Sequence, residues 1–107
     1  MKTVLLVCEA GISSDFLAKS AKIFVEGYQA PINYITTDFA EANTYLDNGI
    51  DLILVAPQAQ YHDEVEELSK SGIPVSQIPD VVYGWANGEK LVKFTLNELM
   101  LPDAKAM

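Results

Sequence analysis

The residues best suited to covalent chemistry in this chain lie in one short segment, Cys8 to Asp15, reading CEAGISSD. Its cysteine, the only one in the chain, stands where an apolar run ends and a segment of helical period begins. A helix N-terminus at that point presents unpaired N–H groups and a partial positive charge, which suit a tetrahedral anion. Gly11 permits a tight curve, and the Ser13 and Ser14 hydroxyls can cap the helix or donate to anion oxygens. The same field lowers a thiol pKa, so Cys8 is expected to be a thiolate nucleophile beside an anion cradle. A lone cysteine after a strand is otherwise an ordinary small buried hydrophobe, and a serine there an ordinary N-cap. Here one cysteine, a strand-loop-helix junction, the Gly and the two hydroxyls coincide, and the combination favours the nucleophile.

Such a loop works only if a fold holds it. Apolar runs of strand length alternate with segments of helical period, each switch marked by Gly, Pro, Asn or Asp, the pattern of repeated βαβ units. Thr3 to Val7 reads as a strand covered on both faces. A helix follows the loop, with Leu17, Ala21, Phe24 and Tyr28 inward and Lys19, Lys22 and Glu26 wet. Ile32 to Thr36 is the second strand. Asp38 is the expected N-cap of a helix with Phe39, Ala42 and Leu46 on its inner face, Glu41 three residues after the cap and Gly49 as its stop. Ile50 to Val55 is the third strand. A helix from about Tyr61 to Ser71 turns Val65 and Leu68 inward and ends at Gly72. Ile73 to Ile78 is the fourth strand, where Pro74 suits a sheet edge. After Asp80 comes an irregular stretch, then a last helix opened by Asn87 or Gly88 with Leu91, Phe94 or Thr95, and Leu99 or Met100 inward.

Right-handed crossovers and near-neighbour pairing make this an α/β fold: a four-stranded parallel sheet in order 2-1-3-4 with helices on both faces. That is a flavodoxin-like or phosphatase-like three-layer sandwich. Function then belongs beyond the carboxyl ends of the strands. The order reverses between strands one and three, so the loops after Val7 and Val55 should flank one crevice. Pro57, Gln58 and Tyr61 lie on the second loop; Gln58 could donate to an anion oxygen and Tyr61 line the crevice, while plain turn chemistry and a helix-facing aromatic fit the same residues. Asp80 and Tyr83 lie in a late loop, where Asp80 is expected to cap a short helical turn rather than act as a general acid. Tyr83 and Trp85 fit either partner contacts or lids on the core. His62, the one histidine, reads as a surface residue at a helix start.

The 107 residues fit a single domain, 1–107, with a tail from Pro102 onward that should fray. Half the residues are hydrophobic, enough for a core. Seven basic residues, all Lys, face fifteen acidic ones for a net charge of -8. A chain so acidic and without Arg is a poor candidate for nucleic acid or an anionic membrane, and its partners should present basic surfaces. One cysteine excludes an intramolecular disulfide framework, and Asp63, Glu64, Glu66 and Glu67 lack the His or Cys spacing of a transition-metal site and read as a solvated helix face. No metal or organic cofactor is expected. No apolar run approaches the ~20 residues of a membrane span, and the TVLLVC run near the start has no cleavage-type site after it, so a cytoplasmic protein without membrane insertion is expected.

Cysteine phosphatases, including low-molecular-weight tyrosine phosphatases on a parallel sheet, carry Cys-x5-Arg-Ser/Thr, but Ser14 stands here at the Arg position. Without that bidentate guanidinium, phosphoryl transfer to water should be inefficient, whereas a carrier should avoid it. The chain resembles the enzyme IIB components of the bacterial phosphotransferase system, lactose/cellobiose (chitobiose) type. The resemblance rests on the Cys-x-x-Gly-x-Ser-Ser loop, on LVAPQAQY from Leu54 to Tyr61 and on DVVYG from Asp80 to Gly84, and spans nearly the whole chain.

It implies a phosphocarrier whose Cys8 takes a phosphoryl group from a phosphohistidine on a IIA component. Cys8 would pass the group to a sugar bound by a membrane IIC component, with a cellobiose-like β-linked disaccharide as the family-level expectation. The cradle would be the backbone N–H groups of Glu9, Ala10, Gly11, Ile12, Ser13, Ser14 and Asp15, with the Ser13 and Ser14 hydroxyls. Glu9 and Asp15 put carboxylates beside the nucleophile, where like charge opposes a phosphate dianion. They either face solvent, destabilise the phosphoenzyme or meet a partner's basic patch. Two rival readings are a small cysteine phosphatase and a regulatory domain whose loop binds an anion without covalent chemistry.

Overall fold

The computed structural model describes residues 2–8, 12–57, 62–84 and 87–99, and for residues 12–15 and 62 the backbone only. The first strand, β1 (Lys2–Cys8), is a β-branched and Leu run whose residues from Val4 to Cys8 are all buried. It leads into α1 (Ile12–Tyr28), followed by β2 (Ile32–Asp38), β3 (Leu52–Val55), α2 (His62–Ser69), β4 (Val75–Gln77), α3 (Asp80–Gly84) and α4 (Gly88–Glu98). The strands form one sheet in the order β2-β1-β3-β4, every pair parallel. This is the expected three-layer arrangement.

Alternation along the strands separates two cores. Val4, Leu6, Ile32, Leu52 and Leu54 face α1, α3 and α4, meeting Leu17, Ala21, Val82, Leu91, Val92 and Leu96. Leu5, Val7, Ile53 and Val55 face the other way, toward Phe39, Ala42 and Leu68. A continuous apolar strand is thus what a sheet buried on both sides requires.

The expected helix after Asp38 is not formed. A single 3-10 turn, Ala42–Tyr45, takes its place. The Asp38 carboxylate does accept from the Glu41 N–H at 2.8 Å, so the capping residue acts as read while closing a turn. Phe39 and Ala42 are buried and Leu46 packs on the same cluster, the inner face read from their spacing. Gly49 and Gly72 both have positive φ, 73° and 87°, as stops after helical or turn segments require.

Other boundaries differ too: β1 runs Lys2–Cys8 rather than Thr3 to Val7, β2 ends at Asp38 rather than Thr36, and α2 ends at Ser69 rather than Ser71. β3 begins at Leu52 rather than Ile50, because Asp51 accepts the Thr3 N–H through its side chain at 2.8 Å. β4 shrinks to Val75–Gln77, since Pro74 lacks an N–H for a ladder. The stretch after Asp80 is a short helix, α3, opened by the Pro79 carbonyl accepting from the Val82 and Tyr83 N–H groups, both at 3.0 Å. Asp80 is its first residue.

Two contacts fix the α1 layer. Gly88 opens α4 against α1 so closely that a β-carbon there would overlap the backbone of Ser20 and Ala21, and its N–H donates to Ser20 Oγ at 3.0 Å. Asn87 caps α4 by accepting the Lys90 N–H at 3.1 Å. Beneath the helices, Thr95 Oγ1 donates to the Leu91 carbonyl at 2.7 Å. Its single proton being used there, Thr95 accepts from the Tyr34 hydroxyl, also at 2.7 Å. α1 ends with Gln29 in the left-handed region, the Ala30 N–H reaching the Val25 carbonyl at 3.0 Å.

Candidate functional site

The site begins with where β1 stops. Cys8 is its last residue, 1% exposed, and continues the even-numbered row that faces α1. Four residues later α1 starts, so the first four helical N–H groups are those of Ile12, Ser13, Ser14 and Asp15. A helix leaves these donors without an acceptor of its own. Cys8 and these donors thus stand at the same end of the sheet, held by the long β1 ladder below and by the α1–α4 contact behind. Glu9, Ala10 and Gly11 lie outside the described residues.

On the other side of Cys8 is the start of the β3 loop. Val7 pairs with Val55, and the Ala56 N–H donates to the Val7 carbonyl at 2.8 Å. Pro57 therefore follows directly beside the end of β1, as the strand order predicts. Gln58 and Tyr61 lie outside the described residues, as do Trp85 and the tail 102–107.

Asp80 and Tyr83 are not drawn to Cys8 in the same way. They sit on α3 beyond β4, with β3 between β4 and β1, two strand spacings or about 10 Å across. Asp80 is exposed, and Tyr83 is half-buried against the α1-side core, which favours the packing reading for Tyr83.

One neighbour was not read from the sequence as part of the site. Asp38 is the register partner of Cys8, at the matching end of β2. Its Oδ1 is committed to the Glu41 N–H, so its carboxylate is held in the turn. Only the register reveals the pairing, since thirty residues of chain separate the two and no local pattern joins them. Among the described residues no group of three or more His, Cys, Asp or Glu is placed to hold a metal ion.

The surface around this end carries exposed apolar side chains. Phe16, in the first turns of α1, is 65% exposed, and Val81 on α3 is 59% exposed. No helix among the described residues is long and apolar enough to cross a membrane.

The family model for the lactose/cellobiose-specific IIB subunit of the PTS system matches residues 3–94. The chain belongs to this family. It is a IIB component of a sugar phosphotransferase system, and its fold is that of solved IIB proteins. The cellobiose-specific phosphotransferase IIB component from Borrelia burgdorferi superposes with a TM-score of 0.76 at 27% identity, covering 92% of each chain. A lactose-specific IIB domain from Streptococcus pneumoniae gives 0.72 at 20% identity over 91% of this chain and 96% of that one, a likeness of fold. No curated protein sequence matches the chain. IIB components in general work with IIA and membrane IIC partners.

Proposed function

We propose that this IIB chain is a cytoplasmic phosphocarrier, one domain over residues 1–107, that takes a phosphoryl group onto Cys8 from a phosphohistidine of a IIA protein. It delivers the group to a sugar, a cellobiose-like β-linked disaccharide, held by a membrane IIC protein. In the first step the Cys8 thiolate attacks phosphorus in line, the S–P bond forms, the N–P bond breaks, and the imidazole nitrogen keeps the electron pair. In the second step a sugar hydroxyl oxygen attacks the same phosphorus, its proton passes to a base or to water, and the thiolate leaves.

The observation that carries this reading is the position of the single cysteine, at the end of β1 and immediately before the α1 N-terminus, in a chain of the IIB family. The cradle is assigned to the N–H groups of Glu9 through Asp15 with the Ser13 and Ser14 hydroxyls. Pro57, Gln58 and Tyr61 line the crevice beside it, with Asp80 and Tyr83 at its outer rim. Catalysis of this kind needs positioning and fixed dipoles rather than a metal or organic cofactor. Exposed Phe16 and Val81 supply apolar anchors for a docked partner, and docking excludes water from the transfer.

The test is intact mass after incubation with phosphoenolpyruvate, the general phosphotransferase proteins and a cellobiose-type IIA. Wild type is expected to gain one phosphoryl group and Cys8→Ser none. If phospho-IIA persists and wild type gains no mass with either a cellobiose- or a lactose-type IIA, the carrier assignment is wrong. Phosphate released from an aryl phosphate by wild type alone would instead mark a phosphatase.

A further inference from the structure

The two edges of the sheet are built differently. β4, at one edge, has three residues and is flanked by Pro74 and Pro79, features that prevent further strand pairing. β2, at the other, has seven residues, no proline or lysine, and a single charge at its far end, Asp38. The Lys2 N–H donates to the Pro31 carbonyl at 2.8 Å, so in this parallel ladder the odd-numbered residues of β2 turn their backbone groups to β1. Tyr34 therefore points its N–H and C=O outward, at an edge with no fifth strand among the described residues.

Beside that edge runs a groove of about 400 Å³ between α1 and β2, with Ala18, Val25, Ile32 and Tyr34 in its lining and Lys19 and Lys22 on its rim. Both lysines are exposed, and neither forms an ion pair with Glu26 or with any other described residue. In a chain of net charge -8, two lysines that pair with no described residue, set against the one carboxylate of Glu26 in the same lining, leave this apolar floor and open strand edge complementary to an acidic occupant. A second copy of the chain fits less well, since it would bring its own lysine pair and its own negative charge to the same rim.

We propose that the β2 edge accepts an extended acidic peptide segment of a partner protein as a fifth strand. Its backbone bonds to Tyr34, one apolar side chain enters the groove over Val25 and Ile32, and its carboxylates meet Lys19 and Lys22. Backbone bonding gives the affinity in this mode, and the groove and the lysines give the choice of sequence. The site lies on the outer side of α1 from α4 and needs no chemistry at Cys8.

The probe is a fluorescein-labelled, end-blocked octapeptide alternating Val and Glu, with a Val and Lys peptide as its counterpart, titrated into the full chain carrying Cys8→Ser. Saturable anisotropy is expected for the acidic peptide, weakening with salt and falling roughly tenfold in Lys19→Glu/Lys22→Glu. In amide spectra the largest shifts should fall on β2 and on residues 18–26, and Tyr34 N–H exchange with solvent should slow. Lys19→Gln/Lys22→Gln, which places no new charge on the surface, should weaken binding less. The proposal is overturned by no saturation at millimolar peptide, by equal affinity for the Lys peptide or the charge-reversed variant, or by shifts centred on the Cys8 loop. Self-association of the chain through β2, or a lysine-rim response to inorganic phosphate without any change at Tyr34, overturns it as well. Wild type and Cys8→Ser should bind the peptide equally, which separates this result from the phosphocarrier assignment.

Discussion

A helix of seventeen residues joins β1 to β2 on one side of the sheet, whereas the join from β2 to β3 on the other holds only a four-residue 3-10 turn. The first side is fixed by contacts between distant segments: Gly88 on Ser20, Tyr34 on Thr95, and the Tyr28 hydroxyl donating to Glu89. The second is closed mostly by short-range bonds, Asp38 to the Glu41 N–H, Thr44 to the Glu41 carbonyl and Ser71 to the Leu68 carbonyl. It also carries the exposed acidic residues Asp63, Glu64, Glu66 and Glu67. The stiff side is the one whose helix begins beside Cys8. A site that works by fixed donors needs a support that does not relax, and long-range packing supplies it where local turns cannot.

Substitutions can break this contrast in order of size. Gly88→Ala pushes a methyl group into helix backbone, so α1 and α4 must separate, and a loss of about 3 kcal/mol is expected in urea unfolding. The same variant should lower the rate of Cys8 phosphorylation if the α1 N-terminus is displaced with the helix.

Thr95→Val leaves the half-buried Tyr34 hydroxyl without its acceptor and should cost about 2 kcal/mol. Burial pushes the Tyr34 phenol well above its ordinary value of 10.0. The folded state thus holds this proton more tightly than the unfolded one. Its contribution is complete below about pH 10 and is lost as pH rises past that point, where the unfolded chain ionises first. Unfolding followed from pH 8 upward should therefore show wild type losing stability more steeply above pH 10 than Tyr34→Phe.

On the turn side the effects shrink. Asp38→Ala removes one capping acceptor and should cost about 1 kcal/mol, read as a shift in urea midpoint at constant slope. Because Asp38 is the register partner of Cys8, Asp38→Asn sharpens the test: it keeps an acceptor for Glu41 and removes the charge, so a faster phosphorylation rate at unchanged stability would show that the carboxylate opposes the incoming phosphate. Smallest is the Glu67–Lys70 pair at 3.4 Å, whose side chains are 64% and 72% exposed. Glu67→Gln should change stability by less than about 0.5 kcal/mol.

Local pattern made much of the fold legible. The β-branched run before Cys8, the 3.6-residue period through Leu17, Ala21 and Phe24, and the opening of the last helix at Asn87 or Gly88 each act over a few residues. They stand in the structure as read. The segment after Asp38 misled because its apolar spacing fits a helix, yet Phe39 and Ala42 reach the same core from a turn. A short connection satisfies the burial without a costly helical nucleus. After Asp80 the expected short helical turn is a helix, started by the Pro79 carbonyl accepting two N–H groups, with Asp80 as its first residue rather than its cap.

The sequence by itself determined the parallel order of the strands, the family, and the placing of Cys8 at the end of the first one, because periodicity, crossover handedness and a compact motif are properties of neighbouring residues. Tertiary structure alone decided that Asp38 stands across from Cys8, that Gly88 must lie on Ser20, and that one sheet edge is left open beside two lysines. Those facts come from register and helix packing, which join residues far apart in the chain and exist only once the sheet has closed on its helices.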